Sequence, residues 1–247
     1  MATFDRLRYE VKLAGKALIV APVLALAPAA LLVVLDHFLA QSPAHVLLAA
    51  VEMLLPIAAG VIAATALASD AALELHLSTP RTFECTSLLR LLLIVVWTSC
   101  LSWLTFSIAL ALQQFELPAF ARTASPLVRA ALLQLVWLVP LLWLVTAGLA
   151  IALLTKSRSA SGALLAGIWL LDTIFVGVIA QTAWLRPFLL FPATLLLFPA
   201  AGVSRTDFIT YWLDTRIELM GMALVLLMLD WLLLRDAEGL LQGVSET

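Results

Sequence analysis

Charged residues are scarce in this chain, and their scarcity indicates its class. Of 247 residues, 12% are Asp, Glu, Lys or Arg and 64% are hydrophobic. A soluble domain of this length would carry roughly twice that charged fraction. The composition therefore predicts an integral membrane protein, in contact with membrane lipid. The formal net charge of −2 offers no basic surface for DNA or RNA, so no nucleic-acid partner is expected.

Side chains that form disulfides, metal sites or nucleophilic centres are also few. Cys85 and Cys100 lie too far apart along one predicted helix, by roughly 22 Å, to form a disulfide. The histidines have no zinc-ligand spacing. The chain lacks the phosphate-binding Gly-x-x-x-x-Gly-Lys-Ser/Thr loop and the His-Glu-x-x-His and Gly-x-Ser-x-Gly motifs of hydrolases. We therefore predict no enzyme activity, catalytic residue, metal or cofactor in this chain.

Long apolar runs fill most of the sequence. Each is long enough to cross a hydrocarbon core of about 30 Å. We predict one all-α transmembrane domain over residues 1–247, with spans at about 17–35, 44–68, 88–112, 128–154, 160–184 and 217–234. Gly148 and Gly167, in two of these spans, are candidates for close contact between helices.

The polar N-terminus has a helical pattern of its own. In residues 1–16, cations accompany apolar side chains that recur every three or four positions, beginning with Phe4, Leu7 and Val11. This spacing predicts an amphipathic helix that lies in the membrane interface, with its apolar stripe in lipid. A plain positive flank to the first span is the alternative.

Residues 187–204 are apolar and uncharged, but prolines interrupt them at Pro187, Pro192 and Pro199. Proline within a helix removes a backbone hydrogen bond and clashes with the preceding turn. We therefore predict a re-entrant helical hairpin in the outer leaflet, before the last span. If these residues spanned the membrane instead, the C-terminus would lie outside.

The distribution of lysine and arginine between the loops predicts the orientation of the chain in the membrane. The turn at 155–159 contains Lys156 and Arg158, whereas the turn at 36–43 contains neither. Short cytosolic loops are enriched in these residues. The sequence thus predicts a multi-pass cell-membrane protein, of bacterial inner-membrane or plasma-membrane type, with both termini in the cytosol.

Few ionisable residues fall within the predicted spans. Charges there are costly and usually face protein or water, so Glu52 and Asp172 are candidates to line a translocation pathway. Glu52 would lie at its outer mouth. The alternatives are a carboxylate at headgroup level for Glu52 and pairing near an interface for Asp172. Asp230 is expected to reach water or to pair with Arg235.

The polar stretch between the second and third spans carries the most specific pattern. Residues 73–80 read Leu-Glu-Leu-His-Leu-Ser-Thr-Pro. Asp70 can cap a short helix before them, and Thr79-Pro80 is typical of a new helix start. This stretch and the six-span layout resemble the permease subunit of type-2 ABC exporters, in which a pattern like Leu-Glu-Leu-Leu-Leu-Ser-x-Pro follows the second span. His76 departs from that pattern, and Ala71-Ala72 stand where the family has a more charged run.

The resemblance implies a cytosolic coupling helix at 70–79 that contacts a separate ABC ATPase, through Asp70, Leu73, Glu74, Leu75, Leu77, Ser78, Thr79 and Pro80. It also implies a dimer with a second permease subunit, identical or related, which forms the pathway, while ATP and Mg²⁺ bind in the ATPase. The hairpin at 187–204 would correspond to the family's re-entrant helices. The substrate is not identified. Two other classes stay open: a non-transporting membrane anchor or scaffold, and a proton-coupled carrier, which would need facing buried acids.

Overall fold

A computed structural model describes residues 19–34, 44–68, 80–111, 125–191 and 205–235, and these are helical apart from short connections. In chain order the helices are α1 (Ile19–Val34), α2 (Ala44–Ala49), α3 (Leu55–Ala68), α4 (Pro80–Ala111), α5 (Pro126–Thr155), α6 (Arg158–Gln181) and α7 (Arg205–Arg235). A π-helical turn at Ala50–Leu54 joins α2 to α3, and a 3₁₀ turn at Arg186–Phe188 follows α6.

Within the described ranges, five helical stretches are long and apolar enough to cross a membrane. They are Val46–Thr65, Ser87–Ile108, Pro126–Thr155, Ser159–Gln181 and Trp212–Arg235. These match the predicted spans two to six. In the described part of the chain, the first predicted span is present as the shorter apolar helix α1. The interfacial helix predicted at 1–16 and the coupling helix predicted at 70–79 lie outside the described residues.

The middle of the bundle is α5, which is apolar on all sides and mostly buried from Val136 onward. Such a helix is stable only when other helices surround it, and α3, α4, α6 and α7 all pack on it. By contrast, α6 exposes a row of apolar side chains: Leu164, Leu170, Leu171, Ile174, Phe175 and Val178. This face is suited to lipid or to another protein subunit.

Two glycines let α3 and α5 approach each other closely. A Cβ atom at Gly60 would lie 2.7 Å from the carbonyl oxygen of Leu144, and a Cβ atom at Gly148 would overlap the carbonyl oxygen of Gly60. The prediction of close contact is confirmed for Gly148. At Gly167 the described residues make no such contact, since none of their atoms lies within 4 Å of a Cβ atom there.

The reversal between α5 and α6 is tight because both helix ends are capped locally. Lys156 adopts the left-handed conformation, with φ of 52°, and its N–H donates to the carbonyl of Ala152. The Ser157 hydroxyl then accepts a hydrogen bond from the N–H of Ala160 and so caps α6. The cationic turn therefore lies at the opposite end of α5 from Pro126.

The predicted orientation can be tested at these two ends, which are about 45 Å apart along α5. In a background with Cys85→Ala and Cys100→Ala, we expect a membrane-impermeant maleimide to label Leu127→Cys in intact cells. It should label Ser159→Cys only after the cells are permeabilised. Leu127 is 80% exposed and Ser159 is also exposed, so both sites should react once reagent reaches them. Labelling of Ser159→Cys alone in intact cells would reverse the topology.

Candidate functional site

Glu52 lies in the π-helical turn that joins α2 to α3, and its side chain is fully buried. A π-helical turn inserts an extra residue into the helix, and such turns often occur at functional sites. Among the described residues, its carboxylate is enclosed by protein and exposes no surface to solvent. Its place at the outer mouth of a translocation pathway stays a prediction.

The partner of Glu52 is Arg216, in the first half of α7. Arg216 Nη2 lies 2.5 Å from Glu52 Oε1, and both side chains have no exposed surface. The guanidinium carbon also lies 5.9 Å from the centre of the Trp212 ring, one helical turn earlier. The ion pair therefore ties α7 to the π-helical turn deep in the bundle.

Arg216 is the functional candidate that sequence reasoning missed. The last span was predicted to begin at residue 217, so Arg216 read as a loop cation, whereas α7 begins at Arg205. A signal for the longer helix was available, since neither proline nor glycine occurs between Arg205 and Arg216.

Asp172 is held by the segment that follows α6. Its Oδ1 accepts a hydrogen bond from the N–H of Leu190 at 3.4 Å, while the carbonyl of Leu190 accepts one from Arg216 Nη1 at 3.0 Å. Glu52 and Asp172, the two acids singled out from the sequence, thus contact the same local structure. They come from different helices and are linked through Arg216 and the backbone of Leu190.

The position of Leu190 shows that the chain turns back into the bundle. Asp172 precedes the end of α6 by nine residues, or about 13.5 Å, and Leu190 returns to its level within the next nine. The returning residues Leu189, Leu190 and Phe191 are all buried. Residues 187–191 of the predicted hairpin are described and include the end of the 3₁₀ turn, while 192–204 lie outside the described residues.

The side chains of Asp172 and Arg216 explain how the non-helical backbone at Leu190 can be buried. Backbone N–H and C=O groups in a membrane must find partners within the protein, because no water is available. At Leu190, Asp172 supplies the acceptor and Arg216 the donor. The polar cluster is therefore a structural anchor for the returning segment, as well as a site of concentrated charge.

A cavity of about 290 Å³ adjoins the anchor on the side of α6. Its walls come from α5, α6 and the returning segment, and they include Trp143, Phe175 and Phe188. Of the described residues that line the cavity, Asp172 is the charged one. Within the described residues, Asp172 Oδ2 has no hydrogen-bond partner.

Asp230 corrects a further expectation. It is fully buried in α7, and neither carboxylate oxygen has a hydrogen-bond partner among the described residues. The predicted pairing with Arg235 is absent, and that guanidinium lies over the ring of Trp231, 4.9 Å from its centre. Asp230 is therefore a third buried acid, separate from the cluster around Arg216.

The predicted coupling residues from Asp70 to Thr79 lie outside the described residues, and Pro80 is the first residue of α4. The described ranges contain no group of three or more His, Cys, Asp or Glu side chains able to hold a metal ion. No protein-family model, curated protein or solved structure matches the chain.

Proposed function

We propose that this chain is the transmembrane permease subunit of a type-2 ABC exporter, working as a dimer with a separate cytosolic ATPase. The observation that supports this best is the return of the chain after α6. The exporters that the sequence resembles have re-entrant helices between their last two spans, and here the chain re-enters the bundle by about 13.5 Å at that place.

The cluster of Glu52, Arg216 and Asp172 supports the same proposal, because it could carry a movement from one element to another. It joins the π-helical turn, α6, α7 and the returning segment through one guanidinium and two carboxylates. Because breaking a buried ion pair costs about 3–5 kcal/mol, a tilt of one element would be transmitted to the others. ATP-driven closure of the ATPases would supply the tilt through residues 70–79, and the chain itself would perform no bond chemistry.

The coupling role of Glu74 provides the test. We expect a stoichiometric soluble ATPase to accompany the tagged chain when it is purified in mild detergent from its host. We expect Glu74 to face a basic surface of the ATPase. Glu74→Arg should therefore reduce the retained ATPase at least tenfold, because two like charges brought together at an interface cost several kcal/mol. Retention is measured by quantitative mass spectrometry and by ATP hydrolysis in the purified complex.

Glu116→Arg is the matched control, since it makes the same charge change in a loop predicted to lie on the opposite side of the membrane. It should retain the ATPase at the wild-type level. A wild-type chain that purifies without any ATPase would contradict the proposal, as would equal retention by the two variants.

A proton-coupled carrier is the second candidate, and one observation favours it. Carriers of that class use ionisable groups that face one another inside the membrane. Glu52 and Asp172 are buried acids from different elements, and they are linked through Arg216 and the backbone of Leu190. A carrier would transport in liposomes that contain only this chain, whereas the exporter would need its ATPase.

A further inference from the structure

The cavity beside α6 combines one carboxylate with walls that are otherwise apolar. Asp172 is 4% exposed, and its neighbours in the cavity are aliphatic or aromatic. Leu171 and Phe175 are exposed on the outer face of α6, so the cavity opens at the periphery of the bundle. A ligand could therefore enter it from the bilayer.

The charges around Asp172 leave its carboxylate only partly satisfied. Among the described residues, Glu52 and Arg216 form a close pair with each other, and Asp172 is linked to that pair through the backbone of Leu190. Asp172 Oδ1 accepts the N–H of Leu190, but Oδ2 has no partner among the described residues. A buried carboxylate whose charge is only partly compensated is costly, and a bound cation would offset that charge.

Three aromatic side chains line the same cavity: Trp143 from α5, Phe175 from α6 and Phe188 from the 3₁₀ turn. Aromatic faces attract cations, and cages of aromatic rings are used to recognise quaternary ammonium groups. A carboxylate and three rings around a small apolar volume form a site suited to an organic cation.

We propose that this cavity binds a monovalent organic ammonium ion with an apolar body, its nitrogen facing Asp172. The assignment of that ion as cargo rests on the proposed export function, whereas the binding itself does not. The ammonium group could belong to a free amphiphile or to the amine headgroup of a lipid, because the recognition chemistry is the same.

Radiolabelled benzyltrimethylammonium is a suitable probe, measured by equilibrium dialysis against the delipidated full chain in neutral detergent. We expect saturable binding that Asp172→Asn weakens at least tenfold, since the amide keeps an acceptor for Leu190 but loses the charge. Asp230→Asn is the matched control, the same change at another buried acid, and should bind within twofold of wild type. Phe175→Leu, at a half-exposed position, should weaken binding about threefold while leaving the fold intact.

A neutral competitor distinguishes recognition of the positive charge from occupation of the cavity by any apolar molecule. Neopentylbenzene has the shape of the probe without its charge, and it should displace the probe poorly. Equal displacement by neopentylbenzene would overturn the proposal and indicate an acyl-chain cavity. Equal binding by wild type and Asp172→Asn would also overturn it, as would the absence of saturable binding to wild type.

Lipid competition identifies the source of the ammonium group. Displacement of the probe by phosphatidylethanolamine, but not by phosphatidylglycerol, would support a lipid amine as the natural ligand. Displacement by neither lipid, with binding otherwise as expected, would support a free amphiphile. The assay needs no ATPase, so its failure would leave the co-purification result unaffected, and the converse also holds.

Discussion

Replacing Arg216 with methionine should lower the free energy of unfolding by about 3–5 kcal/mol, because the change breaks the buried ion pair between Arg216 and Glu52. Both side chains are fully buried, with 2.5 Å between Nη2 and Oε1. The carbonyl of Leu190 also loses its donor. Equilibrium unfolding of the purified chain in mixed micelles, followed by helical circular dichroism, measures the loss.

Arg235→Met is the matched control for this prediction. Arg235 lies exposed at the end of the same helix, over the ring of Trp231. Its loss should cost no more than about 1 kcal/mol. Similar destabilisation by the two variants would show that the Glu52–Arg216 pair does not hold the bundle together.

A double variant isolates the pair itself. Glu52→Gln combined with Arg216→Met removes both charges, so the combined loss should be smaller than the sum of the two single losses by about 1–3 kcal/mol. Recovery should stay incomplete, because Arg216 also donates to the carbonyl of Leu190. Simple additivity of the two losses would mean that the charges act independently.

Gly148→Ala should destabilise the chain by about 2–3 kcal/mol, the upper part of the range for overpacking in a close-packed interior. The new methyl group would overlap the carbonyl oxygen of Gly60, and that atom belongs to the backbone. A backbone atom cannot move aside as a side chain can, so α3 and α5 would have to separate. Unfolding in the same mixed micelles measures this effect.

Gly167→Ala makes the same chemical change in α6, where no atom of the described ranges lies within 4 Å of the new methyl group. It should stabilise the chain by about 0.5–1 kcal/mol, since alanine favours the helix over glycine. The two variants should therefore change stability in opposite directions. Equal effects would contradict the close contact between α3 and α5.

The helices themselves were largely predictable, because long apolar runs dictate them locally. The start of α7 was not. Charged and polar residues between Arg205 and Arg216 read as a loop, but the helix accommodates Arg216 because Glu52 lies beside it, 164 positions away in sequence. No local pattern expresses a pairing over that distance.

The candidate site was predictable as separate residues and not as an arrangement. The cost of intramembrane charge singled out Glu52 and Asp172. Their connection depends on the returning segment at Leu190, whose position only the folded chain reveals. Likewise, Gly148 and Gly167 look alike in sequence, and what separates them is the presence of Gly60 opposite one of them.

The π-helical turn changes the direction in which Glu52 points, relative to Gly60, around the axis of the second span. In an unbroken α-helix, the eight residues from Glu52 to Gly60 would rotate by about 800°, leaving the two about 80° apart around the axis. The wider turn at Ala50–Leu54 rotates less per residue, so it brings the carboxylate closer to the azimuth of the glycine. Deleting one residue from this turn would rotate Glu52 away from α7, while Gly60 would stay in contact with Gly148. The rotation of each half of this span is thus fixed by a different contact. The first half is fixed by the ion pair between Glu52 and Arg216, and the second by the backbone contact between Gly60 and Gly148.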